Sequence, residues 1–333
     1  MQPWSSPTSI NPLVPVPHFQ YGFSTSTSAN TSLSLSIVNL SDKALGVHKI
    51  SSRTAHPLVS PPSLNTPTRS LECHDLPPPI LAWEAFYPKG SINPSAAIPG
   101  GFGFYLNGPK EFSDILRGSE SSSGANEIVM SYRLMLQSDW EWVKGGKLPG
   151  VFGGVGDLAY GCSGGRKDDR ESCFDVRLMW RSKGVGELYV YLPSTEQNIE
   201  RLLAVPPLSH ENPDYGFSVG RGAFSIPVGR WMSVAIRVKL NTVGYEDGEF
   251  IAELSRFFVE LAYAIYIGEI ELWIDGISVI SVTKLTLRQS EKSRLKGMHF
   301  QTFFGGKLCN KPDWASPRDQ RAWFADVTGV SVC

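Results

Sequence analysis

The sequence predicts an all-β fold, a β-jelly-roll sandwich of two antiparallel sheets, and three observations carry that expectation. Short segments of alternating apolar and polar residues recur between Gly, Pro, Asn and Asp turns, with no helices needed between them. Glycine (32 residues) and proline (24) are abundant beside nine tryptophans, a composition that favours a turn-rich β protein with aromatic-lined surfaces. Asp275-Gly276 separates two apolar arms and is a strong hairpin turn signal.

The strands follow in order. Ile128 to Leu136 is one. Phe174 to Arg181 and Glu187 to Leu192 form a hairpin. Val234 to Leu240 alternates Val234, Ile236, Val238 and Leu240 on one face. Glu271 to Asp275 and Ile277 to Val282 flank the Asp-Gly turn, and Gly297 to Phe304 and Trp323 to Val332 complete the set. Trp314 and Trp323 read as packing residues.

The hairpin at 173–193 is the most informative stretch. Phe174, Val176, Leu178 and Trp180 share a core face with Leu188, Val190 and Leu192. The opposite face holds Asp175, Arg177, Met179, Arg181, Glu187, Tyr189 and Tyr191. With Ser182 to Gly186 as the loop, Arg181 pairs with Glu187, Met179 with Tyr189 and Arg177 with Tyr191. A cation across from a phenol, with a second phenol two residues away, suits an anionic sugar better than a solvated edge.

Residues 1–80 differ from the rest. They carry 12 of the 24 prolines, 15 serines, 7 threonines and only 7 charged residues, so this Ser/Pro/Thr-rich segment is expected to stay disordered or loosely attached. The folded domain is then 81–333. Within it, 249–269 stands apart: Phe250 to Gly268 has helical apolar spacing and reads either as an amphipathic insertion or as retained intron sequence.

A net charge of −1 gives no basic field for nucleic acid or an acidic membrane, and no apolar run is long enough to span a bilayer. The N-terminus shows no clear signal peptide. No CxxC pair or His/Cys cluster suggests a metal, and no cofactor is expected. An odd cysteine count, five, leaves at least one thiol unpaired. Cys162 and Cys173 flank a polar loop and either staple its base or stay two buried thiols.

Four of the six histidines lie in the N-terminal segment, leaving His210 and His299. Lys144-Gly-Gly-Lys-Leu-Pro-Gly-Val-Phe-Gly-Gly154 reads as a glycine-rich loop holding Lys147. It is a close-approach site for a ligand or a mobile turn with solvated lysines, and it lacks the Lys-Ser/Thr ending of a phosphate loop. Arg177 can grip a carboxylate bidentately or form a cross-strand salt bridge. His299 and Gln301 share a face and are candidate ligand contacts, although a lone histidine is more often structural.

Several motifs in order carry a resemblance. Gly145-Gly-Lys-Leu-Pro-Gly-Val-Phe-Gly-Gly154, Cys162-Ser-Gly-Gly-Arg166, Cys173-Phe-Asp-Val-Arg-Leu-Met-Trp-Arg181, Glu187-Leu-Tyr-Val-Tyr-Leu-Pro193, Gln301-Thr-Phe-Phe-Gly-Gly306 and the closing Trp314-Ala-Ser-Pro-Arg-Asp-Gln320 are similar to polysaccharide lyase family 14 over about 81–333, minus the insertion. The resemblance implies a β-jelly-roll alginate or related polyuronate lyase acting by β-elimination. Its active-site lysine maps to Lys147, its strand arginine to Arg177 and its tyrosine pair to Tyr189 and Tyr191. Asp175, Arg181, His299 and Gln301 are expected to bind substrate. Some members carry serine where this chain has Asp175, and an acid there either repels a uronate or holds Arg177 in place. The family's habit implies secretion, and a Cys162–Cys173 disulfide fits that.

The site chemistry expected is neutralisation of a uronate carboxylate by Arg177, with Lys147 or Tyr191 as base and Tyr189 as acid. Nearby arginines are expected to lower the pKa of both lysine and phenols. The partner is an anionic polysaccharide and the chain a monomer. The competing class is a non-catalytic carbohydrate-binding jelly roll, which keeps Arg177 and the aromatics but has no use for Lys147.

Overall fold

A computed structural model describes residues 11–30, 33–63, 76–119, 124–163, 165, 168–244, 267–305 and 312–332. Among the described residues seventeen strands run in chain order: β1 Tyr21–Ser24, β2 Ser36–Ile37, β3 Val47–His48, β4 Leu58–Val59, β5 Ala82–Tyr87, β6 Phe102–Leu106, β7 Glu127–Leu136, β8 Gly145–Val155, β9 Cys173–Arg181, β10 Val185–Tyr191, β11 His210–Asn212, β12 Gly216–Ser225, β13 Trp231–Lys239, β14 Gly268–Ile274, β15 Ile277–Leu285, β16 Ser293–Phe304 and β17 Gln320–Ser331. The two α-helices among the described residues, α1 Lys110–Arg117 and α2 Glu196–Leu203, have eight residues each. No helix among the described residues is long and apolar enough to cross a membrane.

The strands form two sheets, as the alternation predicts. Sheet I has nine strands, ordered β15-β14-β13-β7-β17-β1-β2, with β5 also paired to β17 and β4 to β5. Sheet II has eight, ordered β11-β12-β10-β9-β8-β16-β6-β3. β1 and β2 pair in parallel, and the pairings that build the rest are antiparallel. Residues at period two face inward from both sheets: Tyr132 and Phe324 from sheet I meet Phe300 from sheet II, and Phe324 also meets Phe102. Phe104 and Phe300 stack with centroids 5.3 Å apart, and Trp83 meets both edge-on.

The hairpin turn at Asp275-Gly276 forms as its sequence signal requires. Both residues take positive φ (+50° and +79°), the geometry of a two-residue hairpin turn. The 173–193 hairpin is tighter than its sequence suggests. Lys183 (φ +62°) and Gly184 (φ +75°) turn the chain within Ser182–Gly184, so Arg177 pairs with Tyr189 and Asp175 with Tyr191. Every cross-strand partner shifts by two residues, an even number, so the core face and the polar face survive intact.

Two expectations need correction. Residues 144–154 are not a loop: β8 is a central strand of sheet II, between β9 and β16, with a register shift between Lys147 and Gly150. Its glycines are there for approach distance. A Cβ on Gly150 would lie 1.9 Å from the Val176 carbonyl oxygen, and one on Gly146 would lie 2.0 Å from the Trp180 ring.

Nor is the whole 1–80 segment loosely attached. Leu13, Phe23, Ala29 and Leu45 are fully buried, β1 pairs with β17, β3 with β6 and β4 with β5. Its few apolar residues suffice because they add to edges of sheets that already exist, so it needs no core of its own. Residues 64–75, and all of the 249–269 insertion except 267–269, lie outside the described residues.

Gly150→Ala is expected to lower the urea midpoint, with an unfolding cost of at least about 1–3 kcal/mol, because the new methyl meets backbone. Gly156→Ala, where nothing lies within 4 Å, should cost only the strain of its φ of +49°, about 1–2 kcal/mol.

Candidate active site

The outward face of sheet II floors a cleft of about 1650 Å³. Lys147, Arg177, Arg181, Tyr189, Tyr191, His299 and Gln301 all line it, so seven of the eight substrate-facing positions read from sequence converge in one place. A single row of backbone partners crosses the floor: Tyr189 on β10, Arg177 on β9, Gly150 on β8, His299 on β16 and Tyr105 on β6.

Arg177 is 3% exposed and rigidly held. Its Nε donates to the Leu148 carbonyl (3.3 Å), Nη1 to Gln301 Oε1 (3.1 Å) and Nη2 to the Gln301 carbonyl (2.9 Å). Three of five N–H groups are thereby committed, and each terminal nitrogen keeps one. Because Gln301 Oε1 accepts from Arg177, its amide nitrogen remains a donor.

Lys147 is buried, and its Nζ has no hydrogen-bond partner among the described residues. The amine stands 3.2 Å from the centroid of the Tyr189 ring and 5.8 Å from that of Tyr191. Burial, reinforced by the charges of Arg177 and Arg181, holds its pKa well below the usual lysine value. This agrees with the sequence expectation for the lysine.

The phenols go the other way. Burial outweighs the neighbouring guanidinium groups and pushes Tyr189 up; Tyr191 is pushed to about 12 by burial and then by Asp175. Expecting phenolate here weighed the arginines and missed the desolvation, which depends on packing that a sequence does not display. Both rings sit in one cluster with Met179, Cys162 and Cys173, and the latter two form a disulfide.

Asp175 is the position that does not line the cleft. It lies 2% exposed, and its Oδ2 accepts from His299 Nδ1 at 2.8 Å, while Oδ1 has no hydrogen-bond partner among the described residues. It therefore neither confronts the cleft nor binds Arg177, the two roles weighed from sequence. His299 stacks on Tyr105, centroids 4.3 Å apart and planes 17° apart. Burial, then the charge of Arg177, lowers its pKa, so the imidazole is neutral with its proton on Nδ1 and a lone pair on Nε2.

Arg181 is secured by an ion pair to Glu187, whose other oxygen accepts from Arg221 Nε (2.6 Å) and Ser218 Oγ (2.8 Å). Burial alone would raise the Glu187 pKa, but these hydrogen bonds and charges together hold it below the usual carboxylate range. Arg221, Ser218 and Tyr105 were missed by the sequence reading. They sit on β12 and β6, where Gly216, Gly220 and Gly222, or Gly103, interrupt the alternation that marks a strand. Trp314, read as a packing residue, lines the cleft. Among the described residues no group of three or more His, Cys, Asp or Glu is placed to hold a metal ion.

Comparison with known proteins places this geometry. The family Polysaccharide lyase 14 matches residues 80–256 and 263–327, leaving out 257–262 inside the segment set apart as an insertion. The crystal structure of the marine PL-14 alginate lyase from Aplysia kurodai is similar, with 30% identity, a TM-score of 0.56, and 76% of this chain and 83% of that chain covered. Alginate lyase vAL-1 from Chlorella virus shares the fold at 19% identity and a TM-score of 0.57, covering 86% of this chain and 93% of its own. No curated protein sequence matches. The family match spans well over half the chain, and on that ground the chain belongs to polysaccharide lyase family 14 and is a polysaccharide lyase.

Proposed function

We propose that this lyase cleaves a uronic-acid polymer, alginate first among candidates, by β-elimination. The observation that carries this reading is the Lys147 amine: buried, uncommitted and beside an anchored guanidinium. A binding-only protein gains nothing from such a group, since burying an unpartnered amine destabilises the fold. Alginate is the polymer named for the Aplysia and Chlorella virus enzymes.

The chemistry follows from the positions. The C5 proton of a uronate is weakly acidic because the adjacent carboxylate is already anionic. The free N–H groups of Arg177 and the Gln301 amide neutralise that carboxylate, and the contact strengthens as charge builds on it in the transition state. Lys147, whose lowered pKa lets the amine give up its own proton more readily, takes the C5 proton. The C5–H electron pair becomes the C4–C5 double bond, the C4–O4 bond breaks, and Tyr189 gives its proton to the departing oxygen. Raised phenol pKa values support Tyr189 as acid and favour Lys147 over Tyr191 as base, with Tyr191 a hydrogen-bond donor to the substrate. Arg181 offers charge at the neighbouring sugar. His299, oriented by Asp175, offers Nε2 as acceptor for a sugar hydroxyl. The proposed enzyme is a monomer, and the Cys162–Cys173 disulfide supports an extracellular setting.

Incubation with polymannuronate, polyguluronate, polyglucuronate and pectate should produce the ultraviolet absorbance of an unsaturated uronate end on at least one polymer; silence on all four would refute the reading. Lys147→Met should abolish turnover. It should also raise the thermal midpoint at neutral pH, by about 2–4 °C for each kcal/mol of amine desolvation relieved. The sign follows from linkage: a lysine whose folded pKa is depressed binds fewer protons folded than unfolded between that pKa and its ordinary value of 10.5. Its penalty is full below the depressed pKa and vanishes as pH rises toward 10.5, so the gain in Lys147→Met should shrink at alkaline pH.

The rate should rise with pH through the Lys147 pKa as the amine loses its proton. It should fall only at strongly alkaline pH, where the phenols ionise, Tyr191 at about 12. A kcat profile falling from neutral pH upward would reassign the base. Asp175→Asn should leave the midpoint unchanged or higher and raise KM roughly fivefold, since a neutral hydrogen bond is worth about 1 kcal/mol. An unchanged KM would remove the Asp175–His299 pair from substrate binding.

A further inference from the structure

The family match begins at residue 80, yet the cleft does not end where the matched region ends. Strand β3, from the N-terminal segment, extends sheet II beyond β6 and pairs Val47 with Leu106 and His48 with Tyr105. The next residue, Lys49, and Ser51 line the cleft. Lys49 takes a φ of +50°, a conformation that costs an L residue energy and is normally left to glycine. An exposed lysine kept in that strained position points to a use for its side chain.

The surroundings give that use a shape. Lys49 Nζ lies 4.4 Å from the centroid of the Tyr160 ring, and among the described residues no carboxylate pairs with it. Tyr160 is set in place by His48: His48 Nδ1 donates to the Gly46 carbonyl (2.9 Å), which leaves Nε2 to accept from the Tyr160 hydroxyl (2.9 Å). Tyr160 meets Tyr105 edge-on at 4.8 Å, and Tyr105 stacks on His299. An unbroken row of rings thus links Lys49 to Tyr105 and His299 on the cleft floor, and His299 is the row neighbour of Arg177 across Gly150.

We propose that the N-terminal segment builds an additional subsite in this cleft, where Lys49 takes the carboxylate of a uronate residue bound away from the bond that is cut. The inference rests on the uronate-polymer reading above, and it adds residues that the family match does not contain. The chain would then grip a polymer over a longer run of sugars than its family module alone provides.

Lys49→Gly is the decisive variant, because glycine accepts the φ of +50° and removes the ammonium without straining the fold. Kinetics on oligouronates of increasing length, with the full chain, should show a deficit in kcat/KM that grows with length. It should reach roughly fivefold on long chains, be carried by KM, and shrink as salt is added, as an exposed charge contact does. The thermal midpoint should hold or rise. A deficit equal at every length, or none on long chains, overturns the subsite while leaving the lyase reading intact. If the wild type cleaves no uronate, the lyase substrate reading fails by itself. The subsite is then judged by calorimetry of polyuronate binding to the wild type and Lys49→Gly: weaker binding by the variant upholds it, and equal binding or none overturns it.

Discussion

Two side-chain bonds leap over strand β8, and the cleft floor depends on both. Arg177 on β9 reaches Gln301 on β16, and Asp175 on β9 reaches His299 on β16, with β8 lying between the two strands. Gly150 is the backbone partner of Arg177 on one side and of His299 on the other. A side chain there has no room, because its first carbon would already collide with the β9 backbone at Val176 and Arg177. The glycine-rich composition of β8 is thus a condition for packing three strands closely enough that residues two strands apart act as one group.

Around that floor the charges are settled unevenly. Glu187 is enclosed and served by two guanidinium groups and a hydroxyl, so its desolvation is offset by partners. Arg177 is satisfied by carbonyl oxygens, which hold it without cancelling its charge. Lys147 receives neither kind of relief and sheds its proton readily instead. The same fold therefore sets a guanidinium held by carbonyl oxygens near an amine whose pKa burial lowers, the pairing that the proposed proton abstraction beside a carboxylate calls for.

The strands rich in Val, Ile and Leu were legible in the sequence because alternation is a local signal. Val234, Ile236 and Val238 announce β13, and Asp275-Gly276 announces its hairpin without reference to anything distant. The polar face of β9 and β10 was legible for the same reason, even with the turn length misjudged, since a shift of two preserves sidedness. β8, β6 and β12 were not legible, because their glycines are explained only by what lies against them: Trp180 over Gly146, Gln301 over Gly103, Ile280 over Gly220. The Asp175–His299 bond joins residues 124 apart in sequence. The N-terminal segment was misjudged since composition measures whether a segment can fold alone, and this one completes edges offered by the rest of the chain.

Of the three acceptors that hold Arg177, two belong to the main chain, at Leu148 and Gln301. Any residue placed at position 148 still presents a carbonyl, and position 301 loses only one of its two contributions when its side chain changes. The aim of the arginine is therefore written mostly into the course of the backbone and only slightly into the identity of its neighbours. Changes in the side chains at 148 and 301 that leave the backbone course in place therefore cost the guanidinium little of its direction, and the cleft walls can differ without disturbing the charge at its centre.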